Sequence, residues 1–169
     1  MIQFNKPLVT GKEINYLKDL IHKGRFCGDN YYTKLTSQKL IEITGAKQVF
    51  LTTSCTHALE MAALLLDLKS GDEVILPSFT FVSTANAFLL RGVKLVFVDI
   101  DKNTMNINSA SIRNAVTEKT KAIVVVHYGG VACDMEEIMN VARQYSIPVI
   151  EDAAQGLMGF WKNKMLGTI

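Results

Sequence analysis

The sequence has little charge imbalance, few cysteines and no long apolar run, and each shortage excludes something. Lys and Arg number 18 against 16 Asp and Glu, a formal net charge of +2. That balance leaves no electrostatic footprint for nucleic acid or an anionic membrane. Three cysteines occur, Cys27, Cys55 and Cys133, odd in number and without CxxC spacing. They argue for reduced thiols in the cytoplasm and against a disulfide frame or zinc site. The longest apolar stretch, residues 58–68, is interrupted by Glu60 and Asp67 and falls far short of the ~20 residues a bilayer span needs. Residues 1–7 lack the basic segment and apolar run of a secretory leader. There is no GxGxxG or GxxxxGKS/T motif, which counts against a dinucleotide or P-loop enzyme. His22 and His57 have no carboxylate or cysteine at ligand spacing, so no metal is expected.

What is present fits one globular unit. A chain of 169 residues with 49% hydrophobic content is in the range of about 100–200 residues that one core serves and is too apolar for general disorder. Residues 12–23 and 32–44 are periodic segments ending near Gly24 and Gly45, the pattern of amphipathic helices with glycine stops. From residue 47 the rhythm changes. Apolar runs at 48–52, 73–76, 94–98, 122–126 and 149–150 alternate with helical segments at 56–68, 80–90, 109–116 and 135–145. Residues 95–98 and 122–126 are apolar at every position, as parallel strands covered on both faces are. Strand-helix alternation with short turns implies βαβ units. The expected fold is therefore α/β, a mostly parallel sheet with helices on both faces. It divides into an N-terminal helical segment, residues 1–46, and an α/β unit, residues 47–169. Residues 160–167 suggest two short strands around a Lys-Asn-Lys turn, after which no element closes the sheet.

In open α/β sheets, ligands sit beyond the carboxyl ends of the strands, and three such ends carry chemistry. The stretch Thr52-Thr53-Ser54-Cys55-Thr56-His57 runs into a helix start, whose hydroxyls and free N–H groups suit a phosphate; an ordinary Ser/Thr cap reads the same way. In Pro77-Ser78-Phe79-Thr80-Phe81, either aromatic can lie flat on a planar ligand, or both can be core residues. Val149-Ile150-Glu151-Asp152-Ala153-Ala154-Gln155 delivers carboxylates and an amide to a strand end. A buried Asp152 there can hold a ring nitrogen protonated, as pyridoxal phosphate chemistry requires, with Gln155 on a phenolic oxygen. Alternatively Asp152 caps the next turn. His127, in His127-Tyr128-Gly129-Gly130, either lines the same rim or is a satisfied core-edge histidine.

Taken in this order, Ser54-Cys55-Thr56, Pro77-Ser78-Phe79-Thr80-Phe81-Val82-Ser83-Thr84 and Glu151-Asp152-Ala153-Ala154-Gln155 resemble the DegT/StrS-type nucleotide-sugar aminotransferases. These are fold-type-I enzymes of pyridoxal 5'-phosphate. The similarity runs from Phe4-Asn5 to Leu166-Gly167-Thr168-Ile169. It is closest to the subfamily that makes dTDP-4-amino-4,6-dideoxygalactose for bacterial surface polysaccharides such as lipopolysaccharide and enterobacterial common antigen. The resemblance implies that Ser54, Cys55 (through its backbone) and Thr56 bind the cofactor phosphate. It also implies that Phe81 stacks on the ring, Asp152 pairs with the ring nitrogen and Gln155 contacts the phenolic oxygen. The implied substrates are glutamate, as amine donor, and a dTDP-4-keto-6-deoxy sugar aminated at C4; the implied assembly is a homodimer with shared active sites.

One element of the family pattern is missing. Its Schiff-base lysine lies in a Ser-Phe-His-x-x-Lys-like segment beyond the Leu-Gly-Thr-Ile stretch, and Lys162 and Lys164 do not match it. By this resemblance, the chain is a truncated large domain without nucleophile, small domain or activity of its own. Two alternatives stand beside this: a sugar dehydratase of the same family, with histidine in place of lysine, or a non-catalytic fragment that binds a phosphate-bearing ligand or serves association.

Overall fold

In the computed structural model, the described residues are Ile2 and 6–169. The Phe4-Asn5 start of the resemblance, and all but Ile2 of residues 1–5 in the leader reading, lie outside them. Two helices come first, α1 (Glu13–Lys23) and α2 (Tyr31–Thr44). Both end as expected, on Gly24 and Gly45 in the left-handed conformation. Neither helix contains a buried residue.

The remainder is α3 (Cys55–Leu65), β1 (Glu73–Pro77), α4 (Val82–Leu89), β2 (Lys94–Val98), α5 (Ser109–Ala115), β3 (Thr120–Val126), α6 (Met135–Tyr145) and β4 (Val149–Asp152). The four strands form one parallel sheet in the order β2-β1-β3-β4. A hairpin follows, β5 (Phe160–Trp161) paired antiparallel with β6 (Lys164–Met165), around the polar turn expected there.

Strand periodicity sorts the core into two layers. Successive side chains on a strand face opposite ways, so Val74 and Leu76 pack with Ala122, Val124, Leu59, Ala63 and Phe88, under α3 and α4. Ile75 packs on the other face with Ile123, Val125, Ile112, Ile138 and Val141, under α5 and α6. Both layers contain fully buried residues, and helices cover both faces of the sheet. Burial of such side chains contributes roughly 1.5–3 kcal/mol each.

Two expectations fail. Residues 48–52 form no strand, and Phe50 is 72% exposed. A β-branched run becomes a strand only with a ladder partner, and among the described residues none pairs with it. Residues 95–98 are not buried on both faces, since β2 is an edge strand and its Phe97 is 54% exposed. Apolar side chains are also exposed on the outer ends of α3 and α4, at Leu64, Leu65, Leu89 and Leu90. No described helix is long and apolar enough to cross a membrane.

Candidate functional site

The chain leaves β1 for one neighbour and returns to the other, so the strand order reverses between β1 and β3. Brought to the carboxyl ends of the strands, that reversal opens a crevice in a doubly wound sheet. A cavity of about 380 Å³ lies there, lined by Phe79, Thr80 and Phe81 after β1, Val126, His127 and Tyr128 after β3, and Asp152, Ala154 and Gln155 after β4. That volume is within the ~300–1,000 Å³ usual for small-molecule sites. A larger cavity, about 700 Å³, lies between α1 and α2, with Tyr16, Leu17, Leu20 and Phe26 in its wall. It sits away from the strand ends.

Asp152 is the centre of the site. It is the last residue of β4, held in register beside Val126, with its carbonyl accepting the His127 N–H at 3.1 Å. Its side chain is buried. Oδ2 accepts the Thr84 hydroxyl at 2.7 Å, while Oδ1 accepts the Ala154 N–H at 3.2 Å and the Cys55 thiol at 3.6 Å. The turn-capping reading of Asp152 thus holds for one oxygen. The other oxygen takes a single donor among the described residues, and a carboxylate oxygen has two lone pairs. Burial, and next to it the charge and hydrogen bond of Asp152, push the Cys55 thiol up to about 11.

Phe79 and Phe81 are 41% and 73% exposed, so they are cavity aromatics and not core residues. Phe79 leans on Tyr128 with ring centroids 4.7 Å apart. Ser54 is the N-cap of α3, its Oγ accepting the His57 N–H at 3.2 Å. The cap reading therefore holds for its side chain, while the N–H groups of Cys55 and Thr56 lie in the first turn, where a helix offers no internal acceptor. Ser54 and Thr56 are not on the cavity wall; the α3 terminus joins it through the Cys55–Asp152 contact.

Gln155 is oriented by a glycine pair. Gly129 donates its N–H to Gln155 Oε1 at 2.8 Å, which assigns the amide oxygen and leaves Nε2 as a donor without an acceptor among the described residues. Gly129 and Gly130 have φ of 62° and 78°, and a Cβ on Gly130 would meet the Gln155 carbonyl at 2.8 Å. His127 answers both readings: it lines the cavity and is a buried histidine with both ring nitrogens satisfied. Its Nδ1 accepts the Cys133 N–H at 3.1 Å, so Nε2 carries the proton toward Glu151 at 2.9 Å. Burial raises the Glu151 pKa, but bonds from His127 and the N–H groups of Gly167 and Ile169 outweigh it and hold the carboxyl below its ordinary value.

Thr84 was not among the residues singled out from the sequence. Its signal was there: a threonine on the apolar face of an expected helix, four residues after Thr80, needs a buried partner. No lysine lines the strand-end cavity; Lys162 pairs with Glu136 at 2.7 Å on the surface.

The donors and acceptors suit a flat anionic aromatic: helix N–H groups for a phosphate, a half-satisfied buried carboxylate for a ring N–H, and an amide N–H for a phenolic oxygen. Comparison with known proteins defines the class. The fold superposes on an aminotransferase, TlmJ from Streptoalloteichus hindustanus, with a TM-score of 0.94 at 32% identity, over 99% of this chain and 46% of that one. NtdA of Bacillus subtilis, solved with bound cofactor PMP, gives 0.85 at 35% identity, over 90% of this chain and 35% of that one. Among curated proteins, the spore coat polysaccharide biosynthesis protein SpsC of Bacillus subtilis is 36% identical over 99% of this chain and 43% of its own length. The chain belongs to the DegT/DnrJ/EryC1/StrS aminotransferase family, whose model matches residues 7–169. It spans less than half the length of each of these relatives.

Proposed function

We propose that the strand-end site holds pyridoxal 5'-phosphate. The Cys55 N–H and Thr56 would hold the phosphate on a turn set by the Ser54 cap, and Phe81 would lie against the ring. Asp152 would accept the ring N–H, and the Gln155 amide N–H would donate to the phenolic oxygen. When bound, the cofactor supplies an electron sink that lets an amino group pass between substrates. The observation that carries this reading is the buried Asp152 carboxylate, which faces one cavity with Phe81 and Gln155 and touches the first turn of α3 through Cys55.

The reaction we propose is amine transfer from glutamate to C4 of a dTDP-4-keto-6-deoxy sugar, for surface-polysaccharide synthesis, by a homodimer. The polysaccharide role of SpsC supports the substrate class, and the exposed apolar side chains of α1 and α2, among them Leu17 and Ile21, support association with a second copy. A nucleophilic lysine is required. The cavity wall has none, so sequence beyond residue 169 would supply it, and residues 1–169 alone would not turn over. The test is amine transfer from glutamate to dTDP-4-keto-6-deoxyglucose by the gene's complete product. A 4-amino sugar is expected, with Asp152→Asn cutting turnover by at least about a hundredfold, a charged hydrogen bond lost with its carboxylate. No amination of this sugar, with amination of a nucleotide sugar whose ketone lies at another carbon, would refute the substrate, and near-normal turnover of the variant would refute the role of Asp152.

A further inference from the structure

We infer that Thr84, backed by Thr80, is the positioning residue that aims Asp152 at the cofactor's ring nitrogen, an inference resting on the reading of Asp152 above. Thr84 is 1% exposed, on a helix face that otherwise buries Ala85, Ala87 and Phe88. A threonine inside a helix commonly returns its hydroxyl to the carbonyl four residues back. Thr84 instead donates across the sheet end to Asp152 Oδ2 at 2.7 Å. Since its one hydrogen is spent there, the 2.8 Å contact between the Thr80 and Thr84 hydroxyls runs from Thr80 to Thr84. The relay is Thr80 to Thr84 to Asp152.

The register of β4 fixes the backbone of Asp152 but not rotation about its side-chain bonds. Two donors, the Ala154 N–H and the Cys55 thiol, hold Oδ1. Among the described residues Thr84 alone holds Oδ2, at the shortest of the three distances. Without its hydroxyl, the carboxylate pivots about Oδ1, and the lone pair left for a ring N–H loses its direction. The same turn of α4 carries Phe81 into the cavity wall. One rigid segment therefore sets both the face that receives a ring and the acceptor that meets its nitrogen.

The test uses pyridoxamine 5'-phosphate, which needs no lysine for binding, in fluorescence titrations of wild type, Thr84→Val, Thr84→Ser, Thr80→Val and Asp152→Asn across pH. Valine keeps the shape of threonine without the hydroxyl. Thr84→Val should bind about tenfold more weakly, less than the loss of a whole hydrogen bond to a charged group, because the bond from the ring to Asp152 is misdirected and not removed; Thr84→Ser should stay within about twofold, and Thr80→Val should lie between. Affinity of the wild type should fall as pH rises past the free cofactor's ring-nitrogen pKa, and the fall should be shallower in Thr84→Val. A merely structural defect would lower affinity equally at every pH. Should Thr84→Val not fold, Thr80→Val carries the same comparison. Wild-type affinity and pH slope in the threonine-to-valine variants, with Asp152→Asn impaired, would overturn the role of Thr84 alone. A serine variant as weak as the valine one would do the same. Unimpaired binding by Asp152→Asn, or no saturable binding by wild type, would overturn the reading of Asp152 and this inference with it.

Discussion

Replacing Asp152 with Asn should make Cys55 more reactive, although the thiol itself is untouched. Cys55 is exposed, yet its sulfur rests 3.6 Å from Asp152 Oδ1, and its pKa is pushed up to about 11 from an ordinary 9.0 by burial first and the carboxylate second. Asparagine removes the negative charge and keeps the volume. With burial the larger cause, the carboxylate accounts for about one of those two pH steps at most, so the thiolate fraction near pH 8 rises by up to about tenfold. Intrinsic nucleophilicity falls with pKa at a Brønsted slope of about 0.4–0.5, so the net gain in rate is up to roughly threefold. Iodoacetamide labelling followed by peptide mass spectrometry reads it, with Cys27, in the exposed loop before α2, as reference on the same chain. An unchanged or slower Cys55 rate would mean that α3 and β4 do not meet as described.

Two further outcomes follow from the residues around the site. Gly130→Ala forces φ of +78° on a residue whose new Cβ meets the Gln155 carbonyl at 2.8 Å, so it should lose about 1–3 kcal/mol, seen as a lower urea midpoint at unchanged slope; an unaltered midpoint would refute the fit. Glu151 has a folded pKa below 4.5, so its stabilisation is complete above that value and is lost as pH falls through the lower folded one. Urea midpoints measured from pH 6 downward should therefore fall more steeply for wild type than for Glu151→Gln, and parallel curves would contradict the bonds to His127, Gly167 and Ile169.

The layered core was legible because residues 122–126 are apolar at consecutive positions, as parallel strands covered on both faces are, and Ala122 and Val124 fall in one layer, Ile123 and Val125 in the other. The helix stops at Gly24 and Gly45 were legible for a local reason, the left-handed turn each supplies. What depends on neighbours was not legible. Residues 48–52 have strand composition but no described partner, and Leu95–Val98 looks central but lies on an edge. In the site, the strand-end clusters could be read one at a time. The contact between Cys55 and Asp152 joins residues 97 positions apart, and the Thr84 bond joins residues 68 apart. Neither spacing has a periodicity to announce it. The amide orientation of Gln155 was hidden as well, since it is decided by the Gly129 N–H.

The most direct measurement is a crystal structure of the chain soaked with pyridoxamine 5'-phosphate. Density is expected for the ring against Phe81, its nitrogen within hydrogen-bond reach of Asp152 Oδ2, its phenolic oxygen on the Gln155 amide nitrogen and its phosphate on the N–H groups of Cys55 and Thr56. Density between α1 and α2, or a ring whose nitrogen faces away from Asp152, would contradict it.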